Sequence, residues 1–151
     1  MIKIICVGKI KESFYTDAIK EYTKRLSKYT KLEIIELTDF KSDVPLIELE
    51  KERDKILSKI MDKDYVITLE IEGKELNSIE LSKKIENILI QNPNITFIIG
   101  GSSGLHEDVK KRSDLSLSFS KLTFPHQLFR VVLLEQIYRS FKIMHKEAYH
   151  K

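Results

Sequence analysis

Two hydrophobic periods alternate along the 151-residue chain. Ile2–Val7 is a nearly unbroken apolar run closed by Gly8, the pattern of a strand buried on both faces. Residues 12–30 switch to helical spacing, with Tyr15, Ala18, Ile19, Tyr22, Leu26 and Tyr29 on one face. Leu32–Leu37 alternates apolar and charged residues and reads as a second strand. A polar loop over 38–45 ends at Pro45 and leads into a charged helix over 46–61, whose apolar positions are Leu46, Leu49, Ile56, Leu57 and Ile60. Tyr65–Ile71 is a third strand, with a turn predicted at Glu72-Gly73-Lys74. A third helix over 78–91 opens at a Ser78 cap and stops before Pro93. Ile95–Ile99 is a fourth strand, running into Gly100-Gly101-Ser102-Ser103-Gly104, which holds three of the five glycines. A short helix over 106–112 and a fifth strand, Leu115–Phe119, follow. Pro125 opens the longest helix, 125–145, because a missing N–H costs nothing in a first turn.

This alternation predicts an α/β fold: one domain over 1–151, with a parallel sheet covered by helices on both faces. The last helix carries apolar residues around most of its circumference: Leu128, Val131, Val132, Leu133, Leu134, Ile137, Tyr138, Phe141, Ile143 and Met144. A helix apolar all round is buried on all sides. In so small a chain the outer side meets a second copy, which predicts a two-fold homodimer through this helix.

An apolar content of 42% and a charged content of 32% fit a folded chain with its own core. No apolar run approaches the roughly 20 residues of a membrane helix, and Met1–Val7 lacks the form of a signal peptide. The single cysteine, Cys6, excludes a disulfide within the chain and a Cys-rich zinc site. No metal is expected, and the default location is cytoplasmic. Charge is uneven: residues 1–105 sum to −1 and residues 106–151 to +4, with all four histidines in the second segment. A basic C-terminal bias is able to attract a polyanion.

Four features carry possible chemistry. The glycine segment lets backbone approach a ligand closely. It is neither G-x-G-x-x-G nor a phosphate-cradling G-x-x-x-x-G-K-[ST]. It does match G-x-S-x-G, with Ser102 as nucleophile and Asp108, Asp114, His126 and His150 following in hydrolase order. A small serine hydrolase is therefore the rival reading, although only one strand follows the motif. Lys121-Leu122-Thr123-Phe124-Pro125-His126 joins a strand to a helix N-terminus and offers free N–H groups beside apolar walls. Together with the glycine segment it makes a slot suited to a flat heteroaromatic ring. The last helix bears Arg130, Glu135, Arg139 and Lys142, with Glu135 and Arg139 in the favourable i,i+4 order. The tail, Glu147-Ala148-Tyr149-His150-Lys151, combines an aromatic ring, an imidazole and a cation, although chain ends are usually loose.

The segments 97–105, 117–126 and 130–139, with the closing Ala148-Tyr149-His150-Lys151, resemble the RlmH family of the SPOUT superfamily, the bacterial methyltransferases of N3 of a pseudouridine in 23S ribosomal RNA. Val7-Gly8-Lys9 and Val66–Lys74 fit the same pattern. The resemblance implies a parallel α/β sheet with a C-terminal trefoil knot, S-adenosyl-L-methionine as methyl donor and a homodimer. It places the cofactor on Leu69, Gly100, Phe119, Ser120, Lys121, Leu122, Thr123 and Phe124. Within that frame His150 is the expected base, Arg139 the charge stabiliser and Tyr149 a stacking partner for the nucleobase. The RNA is expected within an assembled ribosome, and tail and cofactor slot are expected to come from opposite subunits.

Overall fold

A computed structural model describes residues 1–151. Its elements in chain order are β1 (Ile2–Val7), α1 (Ser13–Leu26), β2 (Leu32–Leu37), α2 (Pro45–Leu57), β3 (Asp64–Glu75), α3 (Ser78–Gln91), β4 (Asn94–Ile99), α4 (Glu107–Arg112), β5 (Leu115–Ser118) and α5 (His126–Met144). The five strands form one sheet in the order β2-β1-β4-β3-β5, and every pairing is parallel.

The apolar run of β1 has the origin its pattern implies. Ile2, Ile4 and Cys6 join the larger core with Leu81, Ile85, Leu133, Ile137 and Phe141, from the face covered by α1, α3 and α5. Ile5 and Val7 join the smaller core with Ile56 and Val109, under α2 and α4. Both faces of the sheet are thus dry, as parallel sheets require. Burial pushes the Cys6 thiol up to about 11, despite the opposing pull of Arg130, so it stays a protonated core side chain.

Three local expectations are corrected. The predicted turn at Glu72-Gly73-Lys74 is strand: β3 runs on to Glu75, and Leu69 and Lys74 both lie opposite Leu117 across a bulge. A bulge inserts residues without ending the pairing, so it looks like a turn in sequence. The cap of α3 is Asn77, not Ser78. Its side chain accepts from the Glu80 N–H at 2.8 Å, and Glu80 returns the bond to the Asn77 N–H, a reciprocal capping box. Ser78 instead donates to Gln136 of α5 at 2.8 Å. Finally, Pro45 belongs to the first turn of α2, where its fixed φ suits a helix start.

One ion pair is buried within the sheet. Lys3 and Asp64 are 4% exposed each, and their side chains meet at 3.1 Å. Asp64 also accepts from the Met61 N–H, Thr96 Oγ1 and Asn94 Nδ2 at 2.9–3.0 Å. Burial alone would raise its pKa; those donors outweigh burial and hold it below the ordinary value. The pair ties the starts of β1, β3 and β4 together. Asp64→Ala leaves the Lys3 ammonium buried with only the Lys59 carbonyl, and should cost about 3–5 kcal/mol, read as a lower urea midpoint.

Candidate functional site

A cavity of about 360 Å³ opens beyond the C-terminal ends of β3, β4 and β5. Strand ends are where open α/β sheets present ligands. One wall is the loop after β4, with Gly100, Gly101, Ser102 and Gly104; the opposite wall is the junction from Phe119 to Phe124. The floor is Leu69, Ile99 and Leu117, and Phe129 of α5 closes the back. Phe129 meets Phe119 edge-on at 5.2 Å and Phe124 face-on at 6.0 Å, which fixes the aromatic wall.

Close backbone approach shapes both sides. A Cβ on Gly73 would lie 2.7 Å from the Leu117 backbone, so only glycine lets the β3 bulge close on β5. That bulge turns Glu70, Ile71 and Glu72 toward the cavity. A Cβ on Gly100 would lie 2.5 Å from the Gly104 carbonyl oxygen and 2.9 Å from Leu105. The loop is folded on itself, with the Gly104 N–H donating to Gly101 at 3.1 Å. From outside it is held by α2, where Glu48 accepts from Ser103 Oγ at 2.9 Å and from the Ser42 N–H at 2.8 Å.

Two segments far apart in sequence, the glycine loop and the 119–124 junction, therefore meet as expected. Leu69, Gly100, Phe119, Ser120, Leu122, Thr123 and Phe124 all line the cavity. Lys121 does not; it is exposed on the outer side of the junction. His126, from the same junction segment, lines the cavity too; missed in the sequence were Glu70, Glu72, Lys110 and Phe129. The Glu70 carboxylate accepts from Thr68 Oγ1 at 2.6 Å and lies 3.8 Å from Lys110 Nζ.

The hydrolase reading fails on geometry. No hydrogen bond joins the exposed Ser102 to a histidine, and the loop ends in a turn rather than entering a helix. The strained backbone of a nucleophile elbow is missing too, since Lys146 is the sole non-glycine residue with positive φ.

The tail is pinned rather than loose. Glu147 accepts from Lys142 at 2.5 Å, Tyr29 at 2.6 Å and Lys28 at 3.1 Å. These donors, Lys142 foremost, hold its carboxyl at about 2. Beyond it, Glu135 Oε1 accepts from Arg139 Nε at 3.0 Å, Arg139 Nη2 at 2.6 Å and the Tyr149 hydroxyl at 3.0 Å. Arg139 lies 4.7 Å from the Tyr149 ring centre, and its Nη1 is 3.1 Å from His150 Nδ1. Burial, then the Glu135 hydrogen bond, raise Tyr149 to about 12, so the phenol stays protonated. Arg139, Tyr149 and His150 thus form one cluster, and none of them lines the cavity of their own chain. Arg139 lies ten residues beyond Phe129 on α5, or about 15 Å along the axis.

The sheet order, the cavity at the strand ends and the close-packed glycine loop define a class. The family description "Predicted SPOUT methyltransferase" matches residues 1–150. The fold is similar to that of the tRNA (m1G37) methyltransferase of Aquifex aeolicus, with a TM-score of 0.52 at 18% identity over 91% of this chain and 69% of that one. Within the class, the sequence is 55% identical to "Ribosomal RNA large subunit methyltransferase H 1" of Clostridium perfringens strain SM101, over 99% of each chain. It is 56% identical to "Ribosomal RNA large subunit methyltransferase H" of Clostridium botulinum strain Alaska E43, with the same coverage. The chain belongs to the RlmH family of SPOUT methyltransferases.

The family's cofactor is S-adenosylmethionine, and the residues present fit it. The cavity volume lies in the range of small-molecule sites. Phe119, Leu122 and Phe124 offer apolar surface to an adenine ring, while Glu70, Glu72 and Lys110 offer charges of both signs to a ligand that is both cationic and zwitterionic.

Two outcomes follow from this geometry. Gly73→Ala and Gly100→Val should each lower S-adenosylmethionine affinity at least tenfold in calorimetry, because both displace a wall of the cavity. A depressed carboxyl exerts its hold above the ordinary glutamate range and loses it only as pH falls toward its folded value. The tail should therefore stay docked at neutral and mildly acidic pH. Glu147→Gln should free it at neutral pH, read as averaged NMR shifts for Tyr149 and His150.

Proposed function

We propose that this chain methylates N3 of a pseudouridine in 23S ribosomal RNA, working in the cytoplasm as a homodimer through α5 and taking the assembled ribosome as substrate. In this reading the segment from Gly100 onward is threaded as a trefoil knot, which is what brings the glycine loop against the 119–124 junction. The observation that carries the proposal is the separation of two incomplete half-sites. The cavity sits at the N-terminal end of α5, and the Arg139–Tyr149–His150 cluster is centred farther along it, on Glu135 and Arg139. A two-fold partner reverses the direction of α5 and lays the tail of one subunit over the cavity of the other.

The surface of α5 supports this pairing. Its inner side, with Leu133, Leu134, Ile137 and Phe141, fills the core. Leu128, Val131, Val132 and Ile143 lie outside both core clusters and are only half-buried, on the same side as Glu135 and Arg139. An apolar stripe with an ion pair at its middle suits a self-complementary contact.

Bound S-adenosylmethionine supplies an activated methyl group. The chain's own work is positioning. The cavity holds the donor and excludes water, and the partner's tail presents the base by stacking Tyr149 on it. Arg139 stabilises the negative charge that N3 carries as it reacts. Lys121, exposed beside the cavity mouth, is placed to meet an RNA phosphate.

The test is complementation. Deletion of 148–151 should abolish methylation of ribosomes while leaving cofactor affinity within about twofold, and Gly100→Val should abolish it through the cavity. Co-expressed with separate tags, the two inactive chains should form heterodimers with one intact composite site, and the mixture should regain about a quarter of wild-type activity. Persistent inactivity of purified heterodimers would overturn the composite site.

A further inference from the structure

The tail cluster fixes more than the position of His150; it fixes where the ring carries its proton. A guanidinium has five N–H donors and no acceptor. Arg139 Nη1 lies 3.1 Å from His150 Nδ1, so Nδ1 can only accept there. In a neutral imidazole that sets the proton on Nε2. Arg139 is not free to yield, because Nε and Nη2 are both held by Glu135 Oε1, which also holds the Tyr149 hydroxyl. Tyr149 in turn packs edge-on against Tyr138 at 5.0 Å.

We propose that His150 acts on the substrate as a neutral Nε2–H donor and not as the base that removes the N3 proton. The proposal rests on the composite site described above. N3 of a uracil-type base is flanked by two carbonyls, so its anion spreads charge onto two oxygens. A donor such as Nε2–H stabilises that charge at either oxygen. Acting as a base instead, Nε2 would have to lose its proton to Nδ1, against the Arg139 donor, or the ring would have to become a second cation 3.1 Å from Arg139. The surrounding charges do not relieve that cost. Glu135 is already committed to Arg139 and Tyr149, and Glu147 to Lys28 in the turn after α1 and Lys142 of α5. The N3 proton therefore leaves to solvent hydroxide, giving water and the base anion. N3 then forms its bond to the methyl carbon as the carbon–sulfur bond breaks, and sulfur keeps the electron pair as a neutral thioether.

Two substitutions in the full-length dimer separate the roles. Glutamine places an amide N–H near the position of Nε2 and has no basicity near neutral pH, and leucine has neither property. With unmethylated ribosomes and labelled S-adenosylmethionine, His150→Gln should keep kcat within about tenfold of wild type. His150→Leu should lose 100-fold or more, the usual cost of one missing oxyanion donor. Cofactor affinity, measured in the same samples, reports folding. Wild-type kcat should keep rising with pH beyond the ordinary histidine range, following ionisation of the base. Two-bond proton–nitrogen NMR should show the Nε2–H tautomer in the dimer without RNA. Glutamine as inactive as leucine, a rate that levels off above the histidine range, or an Nδ1–H tautomer would overturn the donor role while complementation still succeeds. If both variants work at the wild-type rate and complementation fails, the composite site itself is wrong.

Discussion

An α-helix does not bend its ends together. The nineteen residues of α5 span about 28 Å, and the sheet beneath keeps the helix straight by burying Leu133, Leu134, Ile137 and Phe141. Phe129 on the cavity and Arg139 in the tail cluster are ten residues apart on it, about 15 Å, so the two sets of groups stay apart within one chain. The cavity has apolar walls with Glu70, Glu72, Lys110 and His126 at its edges, whereas the tail groups Arg139, Tyr149 and His150 line no cavity of their own chain. In the reading proposed above, that rigidity makes a second copy part of the site rather than an accessory to it.

Both half-sites are held by contacts between parts of the chain distant in sequence. Glu48 of α2 holds the glycine loop through Ser103, and Gly73 lets the β3 bulge close on β5. Glu147 reaches Tyr29, 118 residues away, and so turns a chain end into an ordered segment. Three donors converge on that half-buried carboxylate, so charge fixes the tail together with the packing of Tyr149 on Tyr138. If the tail binds substrate as proposed, it is already ordered and less entropy is lost on binding.

What was legible in the sequence follows from the range of each signal. The strands stood out because a parallel sheet demands apolar residues on both faces, and β1 shows this in five of its six buried positions, Lys3 being the sixth. The glycine loop and the 119–124 junction were legible as a pair because each combines a sharp chain direction with apolar neighbours. Lys121 is exposed and does not line the cavity, because position within a motif does not set which way a side chain points. The β3 bulge was hidden because Glu72-Gly73-Lys74 has the composition of a turn, and only the approach of Leu117, from another strand, shows why glycine sits there. That bulge also carries Glu70 and Glu72, so the acidic side of the cavity was lost with it. The tail read as loose because its partners lie in the turn after α1 and back along α5, beyond any local pattern. The G-x-S-x-G match was a coincidence of spacing: its serine sits in a relaxed turn with no histidine bonded to it.

The central claim concerns which subunit's tail faces which cavity, and a crystal structure of the dimer with S-adenosylmethionine tests it most directly. The account predicts two copies packed through α5, with Tyr149 and His150 of each lying over the methyl-bearing end of the cofactor in the other. A cofactor held in the cavity with its own chain's tail folded over it, or a dimer that leaves both tails remote from both cavities, would contradict it.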